Sequence, residues 1–280
     1  MNAKVCLVTG ANRGIGKATA LGLARMGATV VMVSRDRQLG EAAREEIRQA
    51  TGSLKVDLLV ADLASLPAVR EMAASFKEHH PRLHVLVNNA GVVKRHRTLT
   101  EDGFETTFAV NHLAPFLLTN LLLEILKASA PARIVNVASM VHQWGKIDFN
   151  DLQGEKRYTM NKAYNQSKLA NVLFTYELAR RLEGTGVTAN CVHPGMVVSD
   201  LGREYTGFMA LMANKLWRPF MKSPQQGAAT SIYLASSQEV AGVTGKYFAN
   251  QRAKKSSRAS YDQETARRLW EVSKQLAGIR

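Results

Sequence analysis

The chain has 280 residues, of which 46% are hydrophobic and 21% charged; this suits one sizeable buried core and excludes a disordered or fibrous chain. Lys and Arg outnumber Asp and Glu by 37 to 23, a formal net charge of +14. The basic residues are scattered, with their densest group in "QRAKKSSR" (251–258), so the charge reads as a solvated surface plus one basic loop, not as a nucleic-acid footprint.

In chain order, short apolar runs alternate with longer segments of helical period. "VCLV" (5–8), "TVVMVS" (29–34), "VDLLVAD" (56–62), "HVLVNNAG" (84–91), "RIVNVAS" (133–139), "VTANCVHPG" (187–195) and "KYF" (246–248) predict strands buried on both faces. The stretches 16–27, 41–50, 66–80, 111–129 and 161–184 predict helices between them. "SPQQ" (223–226) reads as a further helix start, with Ser223 as cap, Pro224 in the first turn and Gln226 reaching back. It closes a less regular stretch, 196–222. The alternation predicts an α/β fold, a Rossmann-type doubly wound parallel sheet with helices on both faces. Without a linker or internal repeat, 1–280 is expected to be a single domain.

No run of eighteen apolar residues occurs, and the first strand signal begins at Val5. Neither a membrane span nor a signal peptide is expected, and the location read from this is cytoplasmic. Cys6 and Cys191 both sit in apolar strand runs, where a thiol serves as a small buried hydrophobe, so neither a disulfide nor a metal site is expected.

The first turn carries the first chemical signal. "TGANRGIG" (9–16) places Gly10, Gly14 and Gly16 between a strand and a helix, where missing side chains let the backbone approach a pyrophosphate at the helix N-terminus. The end of the second strand tells which dinucleotide is bound. An acid there serves a ribose 2′-hydroxyl and an arginine accommodates a 2′-phosphate. Here the strand ends "VMVSRD", with Ser34 and Arg35. Arg13 inside the turn and Arg35 beyond the second strand then read as a clamp on NADP, with Asp36 as the competing reading, a ribose ligand for NAD.

The second signal is Tyr164 and Lys168, four apart and so on one helical face. A free tyrosine has a pKa of about 10, and a proton donor for carbonyl chemistry at neutral pH is better placed nearer 7. An adjacent ammonium favours the phenolate and narrows that gap. Ser139 ends a strand, at the edge where open α/β sheets place their ligand crevice, and its hydroxyl suits a substrate carbonyl oxygen.

Taken together, "TGANRGIG", "ADL" (61–63), "NNAG" (88–91), Asn111, Ser139, "YNQSK" (164–168) and "HPG" (193–195) resemble, in order, the motifs of the short-chain dehydrogenases/reductases. The resemblance implies a catalytic tetrad of Asn111, Ser139, Tyr164 and Lys168. Tyr164 would be the acid in reduction and the base in oxidation, and Ser139 would orient the substrate oxygen. Lys168 would also hold the nicotinamide ribose, and Asn111 would position a proton-relaying water, with a purely bracing amide as the other reading. It places Asp62 and Leu63 at the adenine end. Asn12, Ile15, Asn89, Ala90 and Gly91 would line the cofactor, with Pro194 and Gly195 beside the nicotinamide.

Within the family, "DLQGEKRY", "VHPGMVVSDLGR" and "TSIYLASS" resemble the retinol dehydrogenase-like members, as does the gap of 25 positions from Ser139 to Tyr164. The membrane anchor of many such relatives is not seen, which makes a membrane-dissolved retinoid a less secure substrate. Met196, Phe208, Met209, Leu211, Met212, Leu216, Trp217, Phe220 and Met221 read as a lid over a lipophilic carbonyl or alcohol, as a self-packed helix, or, with Lys215, Arg218 and Lys222, as a peripheral membrane contact. The family often pairs through the helices that carry Asn111 and Tyr164, which implies a homo-oligomer. The expected activity is NADP-dependent interconversion of a lipophilic aldehyde or ketone and its alcohol. A non-catalytic redox sensor on the same fold is the alternative.

Overall fold

The computed structural model describes residues 1–197 and 221–279. Eight strands form one sheet in the order β3-β2-β1-β4-β5-β6-β7-β8. They are β1 (Val5–Thr9), β2 (Thr29–Ser34), β3 (Val56–Val60), β4 (Val85–Asn88), β5 (Ala132–Val137), β6 (Val187–His193), β7 (Tyr247–Ala249) and β8 (Arg252–Lys254). β1 to β7 pair in parallel and β8 joins β7 antiparallel. Sequence order reverses between β1 and β4, and at such a switch point the crevice outside the strands' carboxyl ends takes the ligand. The sheet is the predicted doubly wound one, with one addition. β8 lies inside the stretch expected to be a basic loop, and its exposed Arg252 and Lys254 put cations along the sheet edge, which discourages pairing with a second chain.

Helices cover both faces, each buried by its apolar stripe. On one side pack α1 (Gly14–Arg25), α2 (Arg37–Thr51) and, closing against α1, α8 (Pro224–Ser236), around Leu23, Ile47, Val30 and Leu234. The other side carries α3 (Leu66–His79), a segment from Thr106 to Ala128, α7 (Met160–Arg181) and α9 (Gln263–Leu276), around Phe76, Phe116, Leu173 and Trp270. The helix predicted over 111–129 is broken. One α-turn, α4 (Thr106–Phe108), passes into a π-helix at Ala109–Leu113, then into α5 (Ala114–Leu121) and α6 (Leu123–Ala128). The π-turn contains Asn111, and such bulges are frequent at functional sites.

From Gln166 to Ala179 every residue of α7 is buried, and α9 lies along this part of the helix, with Trp270 edge-on to Phe116, 5.0 Å between ring centroids, and tilted over Phe174 at 5.8 Å. The chain's own last helix thus covers part of α7. Arg181 stacks on Trp270, 4.3 Å from the ring centroid, and reinforces the cover.

α8 starts as the sequence predicts. Ser223 Oγ accepts from the Gln226 N–H at 3.2 Å, and the Gln226 side chain accepts from the Ser223 N–H at 2.9 Å, with Pro224 in the first turn. Ser223→Ala should lower stability by about 1 kcal/mol, the usual value of such a cap. Urea unfolding should show a lower midpoint at unchanged slope. Of the irregular stretch 196–222, Phe208, Met209, Leu211, Met212, Lys215, Leu216, Trp217, Arg218 and Phe220 lie outside the described residues. Its two ends meet, with Val197 bridged to Lys222 and the Lys222 N–H donating to the Met196 carbonyl at 2.7 Å.

Candidate active site

The glycine turn is built for a close approach. Gly10 and Gly14 hold φ of +64° and +56°, in the left-handed region that favours glycine. A Cβ on Gly16 would stand 2.1 Å from the Gly10 carbonyl oxygen, so no other residue fits there. Thr9 Oγ1 accepts from the N–H groups of Asn89 and Ala90, each at 3.0 Å, and the Asn89 amide donates to the Thr9 carbonyl at 2.8 Å. Asn89 and Ala90, expected to line the cofactor, thus also brace the turn from β4. Ile15 reaches α8, its Cγ1 3.3 Å from where a Gly227 Cβ would be, and Asn12 is half-buried beside it. α1 opens with no acidic residue in its first turn and no side-chain cap, leaving its positive end to an anion.

The Ala11 N–H donates to the Val33 carbonyl at 3.0 Å, which sews the turn to the end of β2. Arg13 and Arg35 each lie two residues beyond that bond, and both are exposed. Ser34 is buried, and its hydroxyl donates to the Asp36 carbonyl at 2.8 Å, so it shapes the bend instead of facing solvent. The Asp36 carboxylate accepts the Leu39 N–H at 2.9 Å as the N-cap of α2. Asp36 is therefore engaged in starting a helix, which weakens the ribose-ligand reading. Asp62 accepts the Ala64 N–H at 2.9 Å just past β3, and Leu63 beside it is buried.

At the chemical end, α7 carries Tyr164 and Lys168. Lys168 Nζ lies 5.6 Å from the centre of the Tyr164 ring and donates to the Val137 carbonyl at 3.0 Å, two residues before Ser139. Burial pulls this ammonium from its ordinary value down to about 8, since the cation loses hydration. Asn111 is buried with both amide atoms engaged. Its oxygen accepts the Val92 N–H at 2.7 Å, and its nitrogen donates to the Val92 carbonyl at 2.9 Å and to Ser167 Oγ at 3.0 Å. Ser167 Oγ donates in turn to the Tyr164 carbonyl at 2.8 Å. A Cβ on Gly91 would stand 3.3 Å from Asn111 Oδ1 and 3.6 Å from Lys168 Nζ, so all three share one corner.

Ser139 leaves β5 with extended backbone and caps a short 3-10 turn, Met140–Trp144. Gly195 follows Pro194 at φ +95°, packed against the Lys222 side chain. Two histidines that the sequence reading passed over stand beside these residues. His193 Nδ1 accepts the Met140 N–H at 3.3 Å and the Gly195 N–H at 3.4 Å, and joins the Ser139 turn to the Gly195 loop. Burial, then the Lys222 cation, hold it down at about 4, and it works as a neutral acceptor. His142 is fully buried behind Ser139. The only sequence signals were the "HPG" motif for His193 and a spacing of three from Ser139 for His142.

The glycine cradle, the open helix end and the Gly91–Lys168 corner lie along the carboxyl edge of β1, β4 and β5, and together fit a dinucleotide from pyrophosphate to nicotinamide ribose. Among the described residues no cluster of His, Cys, Asp or Glu could hold a metal, and no helix is long and apolar enough to cross a membrane. A cavity of about 830 Å³ opens at the opposite edge, beneath the strand starts, lined by Lys4, His84, Arg133 and Thr188 among others. It contains none of the groups above, so the chemistry belongs to the carboxyl edge.

The short chain dehydrogenase family model matches residues 4–208. Retinol dehydrogenase 12 of Mus musculus is 49% identical over 276 residues, 99% of this chain and 87% of that protein. Retinol dehydrogenase 13 of Homo sapiens is 49% identical over 282 residues, 99% of this chain and 85% of that protein. Among solved structures, an uncharacterised protein from Mycobacterium paratuberculosis superposes with a TM-score of 0.81 at 35% identity, covering 100% of this chain and 95% of its own. The RhlG/NADP active-site complex of Pseudomonas aeruginosa superposes with a TM-score of 0.72 at 29% identity, covering 89% and 94%.

Proposed function

The chain belongs to the short-chain dehydrogenase family and is an NAD(P)-dependent oxidoreductase, and from that premise we propose that it uses NADP to interconvert a lipophilic aldehyde or ketone with its alcohol. The observation that carries the reading is that Lys168 Nζ, 5.6 Å from the centre of the Tyr164 ring, bonds the Val137 carbonyl two residues before Ser139, with Asn111 bonded to Ser167 of the same helix. A non-catalytic redox sensor has no use for that assembly.

NADP, when bound, supplies or accepts the hydride. Gly10, Gly14 and Gly16 with the start of α1 would hold its pyrophosphate, Arg13 and Arg35 its 2′-phosphate, and Asp62 and Leu63 would lie at its adenine end. Lys168 would reach the nicotinamide ribose near Gly91, with Pro194 and Gly195 alongside. In reduction, Tyr164 gives its phenolic proton to the substrate carbonyl oxygen while the Ser139 hydroxyl donates a hydrogen bond to the same oxygen. The Lys168 ammonium stabilises the phenolate left behind, and oxidation runs the same transfers in reverse. Asn111 holds the Val92 backbone beside Gly91, so it contributes to this site at least as a brace.

Preference for lipophilic substrates rests on the likeness to proteins named retinol dehydrogenases. The two segments that carry Ser139 and Gly195 also expose large apolar side chains, Met140 at 37%, Trp144 at 65% and Met196 at 44%. The test is a panel of straight-chain, aromatic and polyene aldehydes assayed by cofactor consumption with NADPH and with NADH. The reading expects NADPH to be oxidised and kcat/KM to rise at least tenfold from the short to the long or aromatic aldehydes. No turnover with any carbonyl or alcohol would end it.

A further inference from the structure

Ser139 is expected to aim its hydroxyl at an atom that moves little during reaction, so its backbone must be held firmly. Its own turn does this poorly. The hydroxyl accepts only a long bond, 3.4 Å, from the Val141 N–H, and the first main-chain bond of the turn, from the His142 N–H to the Ser139 carbonyl, is also long at 3.3 Å. The short contact comes from a side chain. His142 Nδ1 lies 2.6 Å from the Ser139 carbonyl oxygen. On the far side of the ring, Nε2 accepts the Ser257 N–H at 3.1 Å. Because that nitrogen accepts, the ring proton sits on Nδ1 and is donated to Ser139.

The ring itself cannot drift. It is buried, stands 4.8 Å from the Tyr247 ring, and burial keeps it below the ordinary histidine range and therefore neutral. The turn behind it is wedged on the catalytic helix, since a Cβ on Gly145 would come within 2.5 Å of the Asn165 carbonyl oxygen, one residue past Tyr164. Ser257 is fixed as well. Its carbonyl accepts Ser260 Oγ at 2.6 Å, and the neighbouring Ser256 hydroxyl bonds the Tyr176 hydroxyl of α7 at 2.7 Å. A chain of bonds thus runs from α7 through the 256–260 segment and His142 to the Ser139 backbone.

We propose that His142 is a positioning residue for the reaction, acting through Ser139: its Nδ1–H holds the Ser139 carbonyl and so fixes where the Ser139 hydroxyl meets the substrate oxygen. This rests on the reading of Ser139 given above. Misplacement by about 1 Å at a reacting group can lower a rate roughly a hundredfold.

The test is a double-mutant cycle between Ser139→Ala and His142→Ala, with His142→Asn and His142→Gln alongside, read as kcat, NADPH dissociation constant and melting temperature. His142→Ala should lower kcat by roughly ten- to a hundredfold with NADPH affinity within about twofold of wild type. In the Ser139→Ala background the same change should cost almost nothing further, because the group it positions is gone. Asn places an N–H near the Nδ1 position and should recover much of the lost kcat; Gln reaches the Nε2 position and should not. Equal kcat for Asn and Gln, additive losses in the cycle, or a kcat that only follows the melting temperature would each overturn the proposal. Ser139→Ala with wild-type kcat would instead overturn the reading of Ser139 beneath it.

Discussion

Tyr164→Phe is expected to lower kcat by about 10²–10⁴-fold while NADPH still binds, since that is the usual contribution of a positioned general acid. The substitution removes one hydroxyl and leaves the ring, which keeps its place beside the Lys168 ammonium at 5.6 Å. The braces around it do not depend on that hydroxyl. Ser167 grips the Tyr164 main-chain carbonyl, and Lys168 is anchored to Val137. The glycine turn is held from β4 by Thr9 and Asn89. Loss of turnover with an unchanged dissociation constant, measured by titrating cofactor fluorescence, is therefore the signature of a lost proton donor. A mutant that keeps more than about a tenth of wild-type kcat removes Tyr164 from that role.

The strand segments, the glycine turn, the α8 capping box and the spacing of Tyr164 and Lys168 were legible because each is local. A Gly at φ +64°, a Ser–Pro–Gln–Gln start or an i,i+4 pair leaves its mark within a few residues. What the sequence concealed is carried by contacts between distant segments. Nothing in "QRAKKSSR" shows that Arg252–Lys254 pairs antiparallel with β7, because three exposed residues, Arg252, Ala253 and Lys254, are too short a run to establish a strand period. The π-turn at Asn111 is equally silent, since an apolar helical pattern tolerates one extra residue per turn without a change of face obvious to the eye. Coverage of α7 by α9 depends on where Trp270 lands, 96 residues beyond Phe174 in number but 5.8 Å away in space. Ser34 and Asp36 looked like ligands because their position is right, and only the hydrogen bonds to Asp36 O and Leu39 N reveal that both side chains shape the bend.

Those same bonds sharpen the expectation for Arg13 and Arg35. With Ser34 turned inward and Asp36 engaged as a cap, the two arginines are what the bend offers to a 2′-phosphate, and the Ala11–Val33 bond keeps their two chain segments adjacent. Replacing both by alanine should weaken NADPH and leave NADH, which lacks that phosphate, unchanged or improved. A hydrogen bond to a charged group is worth about 1.5–3 kcal/mol, and because both arginines are exposed, solvent screening reduces the sum. At 1.4 kcal/mol per tenfold, the ratio of kcat/KM for NADPH over NADH should fall roughly ten- to a hundredfold. The electrostatic origin has its own check, for raising the salt from about 0.05 M to 0.5 M shortens the screening length severalfold and should erode the wild-type preference but not that of the double mutant. A cofactor ratio kept within about twofold by the double mutant, or a wild-type enzyme that prefers NADH, would remove the clamp. Asp36 would then have to bind the ribose 2′-hydroxyl alongside or instead of the Leu39 cap, and Asp36→Ala would be the substitution that lowers NADH affinity.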